Sequence, residues 1–390
     1  MNSSIRKAMN KKSALTIAVT GLNATDNPAP GVGVLRSLKL GQGVRDRLVG
    51  LAYDALDPGV YTDDLTEDVF MLPYPSSSIE AFFTRVMYVH ERVKLDVIIP
   101  TLDAELPSFI ALEPRFRAAG IATVLPTREQ LDVRSKANLG ALGRQADIGV
   151  PRTIVLVGAH ELTRIHEQLP YPFWVKGVFY GATLVTCVEE AVAAFQRAAA
   201  QWGLPVIAQA AVQGEERNVV ALGDGRGGML GAVVMKKLAL TDKGKGWAGI
   251  TIKDPTLTEL TARFMASTKW RGPCEVEVIR DPKGKYHLLE VNPRFPAWTH
   301  LASAAGMNLP RMAVELAMGR DVAPLADYSV GTMFVRISID QITNIRAFEQ
   351  IVTSGEVRQK GPVAAVAPVL RLASHERPNV NTYVERGEPV

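Results

Sequence analysis

At 390 residues, with 47% apolar and 22% charged side chains, the chain has the make-up of a soluble globular protein with roughly two or three cores, and a disordered chain is excluded. The net charge of +4 is small for this length, and Arg6, Lys7, Lys11 and Lys12 concentrate much of it in an acid-free leader over residues 1–13, so no nucleic-acid partner is expected. That leader lacks the apolar centre of a signal peptide, no run approaches the ~18 apolar residues of a membrane span, and two cysteines, Cys187 and Cys274, cannot build a disulfide framework; a cytoplasmic protein fits best.

Residues 14–130 alternate short apolar runs, at 14–20, 48–53 and 95–100, with helical patterns, which predicts a Rossmann-like parallel sheet covered by helices. The first run leads through Gly21 to Pro30-Gly31-Val32-Gly33-Val34-Leu35-Arg36, where Arg36 replaces the third glycine of a dinucleotide fingerprint and the glycines come too late after the strand. Asp54, after the second run, would be the ribose ligand in that scheme, and a strand-end cap explains it equally well. A helix-rich connector over 128–147 precedes strands at 153–157 and 173–177, a loop at Gly181, a helix over 188–201 and a strand over 204–209. A unit this compact can move as a lid. From Val219 to Val291 the pattern is mostly β, with turns at Gly223-Asp224-Gly225 and Asp281-Pro282-Lys283-Gly284. A helix over 309–318, a strand over 331–339, a strand over 363–372 and a polar tail complete the expectation, with no internal repeat.

Chemistry concentrates at Tyr286-His287-Leu288-Leu289-Glu290-Val291-Asn292-Pro293-Arg294. Strand alternation places Glu290 and Asn292 on one face, Pro293 ends the ladder, and Arg294 emerges at the turn. The preceding strand, Gly272-Pro273-Cys274-Glu275-Val276-Glu277-Val278-Ile279, folds back through the Asp281–Lys285 turn, so that Glu277 can face Glu290. Hard oxygen ligands of this kind hold Mg²⁺ through one or two carboxylates while phosphates and water complete the shell. Lys176 ends an apolar strand and would suit a phosphate, whereas Lys136 alone reads as a solvated helix charge. The strand over 204–209 runs through Ala210-Ala211-Val212-Gln213-Gly214 into the acid pair Glu215-Glu216, a linker able to offer backbone groups to a base edge.

From about Arg128 to Arg320 these pieces resemble the ATP-grasp superfamily of carboxylate ligases, and within it the carbamoyl-phosphate-synthase-like branch, with a single module where carbamoyl phosphate synthase has two. The resemblance implies a fold of α/β and α+β parts: an N-terminal Rossmann-like domain (14–130), a connector and lid subdomain (131–208), a larger antiparallel-sheet catalytic subdomain (209–340) and a C-terminal extension (341–390). It makes Glu277, Glu290 and Asn292 metal ligands, and gives Arg294 the task of neutralising the transferring phosphoryl and the acyl phosphate. Lys176 and Lys136 become phosphate contacts. Gln209, Ala211 and Glu216 would line adenine and ribose, with Glu215 as substitute for Glu216. Lys237, favoured over Lys236, would face the γ-phosphate, and Tyr180 would replace backbone contacts in a lid loop with few glycines.

The implied activity consumes ATP with Mg²⁺ (or Mn²⁺) to phosphorylate a small carboxylate, which an amine or thiol then attacks, releasing ADP and phosphate. A homodimer is expected by analogy only. Two further readings are a bicarbonate-phosphorylating, carbamoyl-phosphate-like or carboxylase-like enzyme, and a non-catalytic ATP-binding regulator. Phe295, Trp298, His300, the loop 241–247, and Asp103 and Glu105 after the third strand are the candidates for substrate choice.

Overall fold

A computed structural model describes residues 14–24, 27–40, 46–62, 64–177, 181–241 and 244–358. The basic leader, Val178, Phe179 and Tyr180 of the lid loop, Asp242 and Lys243, and the strand expected over 363–372 lie outside the described residues.

The chain opens with β1 (Thr16–Val19), α1 (Pro30–Lys39), β2 (Arg47–Ala52), β3 (Asp68–Met71), α2 (Ile79–Val93), β4 (Val97–Ile99) and α3 (Leu106–Ala118). The four strands are parallel in the order β3-β2-β1-β4. Sequence patterning missed β3, whose first residue is an acid; Asp68 is nonetheless fully buried and accepts from Arg47 Nε at 3.0 Å. The strand order reverses between β1 and β4, the place where open sheets of this kind leave a crevice. Here Glu105 fills it. Its carboxylate is buried and accepts from Thr20 Oγ1 at 2.5 Å, from the Thr101 and Leu102 amides at 2.7 and 2.8 Å, and from the Tyr53 hydroxyl. Gly21 must be glycine at this point, because φ is +72° and a Cβ would sit 2.1 Å from Thr101 Oγ1.

The connector expected over 128–147 resolves into α4 (Arg128–Val133), started by a Thr127–Gln130 capping box, and α5 (Leu139–Ala146). Next come β5 (Thr153–Leu156), β6 (Phe173–Lys176), β7 (Ala182–Val185), α6 (Val188–Trp202) and β8 (Val206–Ala210), with the strands forming an antiparallel sheet in the order β5-β8-β6-β7. Its core packs Phe173, Val175, Val185 and Val206 against Ala191 and Phe195 of α6. The stretch after Gly181 pairs as β7 instead of remaining a loop, with Ala182 opposite Lys176.

The remaining elements are β9 (Glu215–Asp224), β10 (Met229–Leu240), β11 (Gly246–Thr251), α7 (Pro255–Thr268), β12 (Arg271–Arg280), β13 (Tyr286–Asn292), α8 (Thr299–Ala304), α9 (Leu309–Ala317), β14 (Met333–Val335), α10 (Ile345–Ser354) and β15 (Glu356–Val357). Six strands form an antiparallel sheet in the order β13-β12-β9-β10-β11-β14. Period-2 alternation gives it two buried faces. Val219, Ala221, Val234, Cys274, Val276, Val278 and Val291 pack on α5 and α7, while Val220, Leu222, Val233 and Met235 pack towards the parallel sheet, α1 and α9.

The segment expected to be mostly β is so, and α7 is the helix that interrupts its strands. Asp254 caps it by accepting from the Leu257 amide, Pro255 occupies the first turn, and Leu257, Leu260, Thr261, Phe264 and Met265 form its buried stripe. β14 is shorter than the strand expected over 331–339, because it pairs only with Ala248, Gly249 and Ile250, and Ile337 and Ile339 beyond it are exposed. β15 runs antiparallel to β3, returning the C-terminal extension to the edge of the first sheet. Both cysteines are free thiols, Cys274 buried and Cys187 half-buried before α6. No helix among the described residues is long and apolar enough to cross a membrane.

Candidate active site

The β12–β13 hairpin places Glu277 opposite Glu290 and Glu275 opposite Asn292. A bulge falls between these pairs and Val278, which is opposite Leu288. It shifts the alternation by one residue, so that Leu288 and Val291 both face the α7 core while Glu290 and Asn292 face the other way. The expected hairpin geometry is therefore present, and all four polar side chains share one face with Asn218 of β9 and Lys237 of β10.

Glu275, which patterning did not single out as a site residue, lies at the centre of this face. It is 5% exposed and accepts from Asn218 Nδ2 at 2.8 Å, Trp298 Nε1 at 2.6 Å and Asn292 Nδ2 at 3.1 Å. Asn292 Nδ2 also donates to Glu277 Oε1 at 2.9 Å. Glu275 was detectable, two residues before Glu277 on the same strand face.

The lysines divide as register dictates. Lys237 lies opposite Glu216, and its Nζ donates to Glu216 Oε2 at 2.7 Å and Glu277 Oε2 at 3.3 Å. Lys236 points to the other side, where it donates to Glu215 Oε1 at 2.7 Å. Lys176 Nζ donates to Gln209 Oε1 at 2.7 Å, and Gln209 Nε2 in turn donates to Thr153 Oγ1 at 3.1 Å. The Gln209 side chain is thus buried and occupied with Lys176, while Ala211 lies half-buried in the linker after β8. Lys136 Nζ is 3.9 Å from Glu290 Oε1. Arg294 Nε donates to Asp103 Oδ2 at 2.9 Å, and its Nη1 lies 3.6 Å from Glu275 Oε2.

Among the substrate-choice candidates, Asp103 reaches this cluster and Trp298 touches it through Glu275. Phe295 and Glu105 do not face an open cleft: both are fully buried, one in the apolar core and the other in the crevice of the parallel sheet. His300 is set against α1, with Nδ1 3.3 Å from Ser37 Oγ.

Electrostatics separates the acids. Burial raises the Glu290 carboxyl against the opposing pull of Lys136, and raises Glu275, where the neighbouring Glu277 charge adds to the effect. Burial also acts on Glu277, but Lys237 and the hydrogen bonds it receives outweigh that, and its carboxyl is held below the ordinary range. Lys176 is pushed down to about 8 by burial and by Lys136. Lys237 is held up by Glu277 and Glu216 against its own burial.

Among the described residues no three histidine, cysteine, aspartate or glutamate side chains converge as a metal cage. The donor set nonetheless fits Mg²⁺ or Mn²⁺ arriving with phosphates: two hard carboxylates face each other across the hairpin, and burial disfavours the charge of one of them until a cation is supplied.

Residues 204–339 match the sequence profile of a family described as ATP-grasp in the biosynthetic pathway with Ter operon. Over those residues the chain is similar to the ATP-grasp family. Solved structures with the same fold include the biotin carboxylase domain of Hydrogenobacter thermophilus 2-oxoglutarate carboxylase, crystallised with MgADP, ADP and bicarbonate (TM-score 0.62, 16% identity, 82% of this chain and 73% of that one). They also include an L-amino acid ligase from Bacillus licheniformis (TM-score 0.58, 16%, 79% and 75%). A third is N5-carboxyaminoimidazole synthetase from Staphylococcus aureus (TM-score 0.57, 16%, 81% and 80%). At such identities the likeness is one of fold, and no curated protein matches the sequence. The profile match contains Gln209, Ala211, Glu216, Lys237, Glu277, Glu290, Asn292 and Arg294, and leaves Lys136 and Lys176 outside.

Proposed function

We propose that this ATP-grasp chain is an ATP-dependent ligase, cytoplasmic, that activates a small carboxylate as an acyl phosphate and joins it to an amine, releasing ADP and phosphate. The observation that carries this reading is the convergence of Glu277, Glu290 and Asn292 with Lys237 and Arg294 on one sheet face. The proposed division is a Rossmann-like domain over 14–130, a connector and lid over 131–208, a catalytic subdomain over 209–340 and an extension over 341–390.

In this scheme Glu277, Glu290 and Asn292 hold the divalent ions, which when bound screen the phosphate charge and let two anions approach. Lys176 and Lys136 position the phosphates from the lid side. Lys237 neutralises charge on the terminal phosphoryl, and Glu216 with Ala211 and Gln209 borders the nucleoside. A substrate carboxylate oxygen attacks the γ-phosphorus as the bond to ADP breaks. Arg294 stabilises the charge on the resulting acyl phosphate. The amine nitrogen then attacks the acyl carbon, the C–O bond to phosphate breaks, and the amine gives up a proton. Closure of the β5–β8 lid keeps water from the acyl phosphate.

The test is to incubate the full chain with ATP and Mg²⁺ and pools of amino acids, other carboxylic acids and bicarbonate, measuring phosphate release beside product masses. Pool-dependent phosphate with a new condensed mass is the expected result. Release with bicarbonate alone would move the reading to a carboxylase-like enzyme. Tight ATP binding with silence in every pool would leave a regulator.

A further inference from the structure

Arg134 follows α4 and takes no part in the scheme above. Its Nη1 lies 3.2 Å from Asp103 Oδ1, while the other oxygen of that carboxylate accepts from Arg294 Nε at 2.9 Å. Two guanidinium groups, one from the connector and one from the turn after β13, are therefore held against a single acid from the loop after β4. Both cations share this one anion. The second acid near Arg294, Glu275, is already engaged by Asn218, Trp298 and Asn292. Arg134 Nε is closed off from solvent and has no acceptor among the described residues. A buried charged donor left without an acceptor is costly, and a ligand that supplies the acceptor removes that cost. The pair adjoins the metal-binding face, since Asp103 and Arg294 both act electrostatically on Glu290.

We propose that Arg134 is a second oxyanion-binding residue of this site, set beside Arg294 by the shared Asp103 carboxylate, and that the two guanidinium groups together take the anionic end of the reacting acid. The inference rests on the ligase reading, which supplies the anion: a carboxylate before phosphoryl transfer and a phosphoryl group after it. Planar guanidinium forks suit both, because each presents parallel N–H donors to a pair of oxygens.

The test is calorimetric and needs no turnover. The full chain loaded with MgADP is titrated with inorganic phosphate in one arm and acetate in the other, for wild type, R134M, R134K and R117M. Arg117 is an exposed arginine of α3 whose loss removes the same charge elsewhere. R134M is expected to weaken the oxyanion at least tenfold and leave MgADP affinity within twofold; R134K falls between, and R117M matches wild type. Weakening in the phosphate arm alone assigns Arg134 to the phosphoryl group, and in the acetate arm alone to the carboxylate. R134M and R134K equal to wild type in both arms would overturn the proposal, as would a wild-type chain that takes up neither anion. If MgADP fails to bind at all, the ligase reading falls, and the phosphate arm on the nucleotide-free chain still decides Arg134.

Discussion

Two regions of this molecule bury carboxylates, and they do so with opposite partners. At the crevice of the parallel sheet, Glu105 is surrounded by neutral donors: two backbone amides and the hydroxyls of Thr20 and Tyr53. On the antiparallel sheet, Glu275, Glu277 and Glu290 are met by Lys237, Arg294, Lys136 and two asparagine amides. Neutral donors satisfy a single acid and tie β1, β2 and β4 together, which is a structural task. Cations gathered around several acids produce a site whose charge balance a nucleotide and its metal can rearrange. The same residue type, buried in both places, is thus satisfied by neutral donors in one and by cations in the other, and the proposed function assigns chemistry only to the second.

Substitutions should separate the two regions. E277Q or E290Q, which keep shape and remove a charge proposed to bind metal, should lower carboxylate-dependent ADP formation by about 10³-fold or more with little change in thermal stability. Unchanged turnover in both would remove the metal assignment. K237M should cost about 10²-fold in kcat, whereas K236M, one residue away on the other side of the strand, should stay within about twofold because its partner is an exposed Glu215. Equal losses in the two lysine variants would contradict the register-based choice. E105A belongs to the opposite class: urea unfolding should show a loss of about 3 kcal/mol, from leaving hydroxyl and amide donors unpaired, with kcat per folded molecule nearly unchanged. A large fall in kcat without a fall in stability would make the crevice part of the chemistry.

How much of this was legible in the sequence depends on how far each relationship reaches along the chain. The Glu277–Glu290 pairing follows from two strands and a short turn, and the bulge at Leu289 did not disturb it because Glu290 and Asn292 both lie beyond it. The choice of Lys237 over Lys236 required knowing which β9 residue stands opposite. Alternation alone allows either. Glu275 was readable from its spacing to Glu277, but its value as an anchor for Trp298, Asn218 and Asn292 is tertiary. Asp103, Arg134 and Arg294 meet from three distant segments, and the β15–β3 pairing joins residues 356–357 to residues 69–70; neither leaves a periodic trace.

The smallest effect tests the lid side of the comparison. Lys176 carries a cation into a half-buried position, and its ammonium is pushed down to about 8 from an ordinary 10.5. Because the unfolded chain then binds the extra proton between those two values, folding stability from this group rises as pH increases from about 8 to about 10.5. Nucleotide binding should follow the reverse course. A phosphate beside Lys176 favours its charged form and restores the higher value, so binding above pH 8 takes up a proton. Affinity for ATP should be level between pH 7 and 8 and then fall by at most about tenfold per pH unit. Calorimetry at pH 9 in two buffers of different ionisation enthalpy should show uptake of close to one proton, and K176M should abolish both the uptake and the slope. A pH-independent affinity in the wild type would place the phosphates away from Lys176 and leave its bond to Gln209 as a structural one.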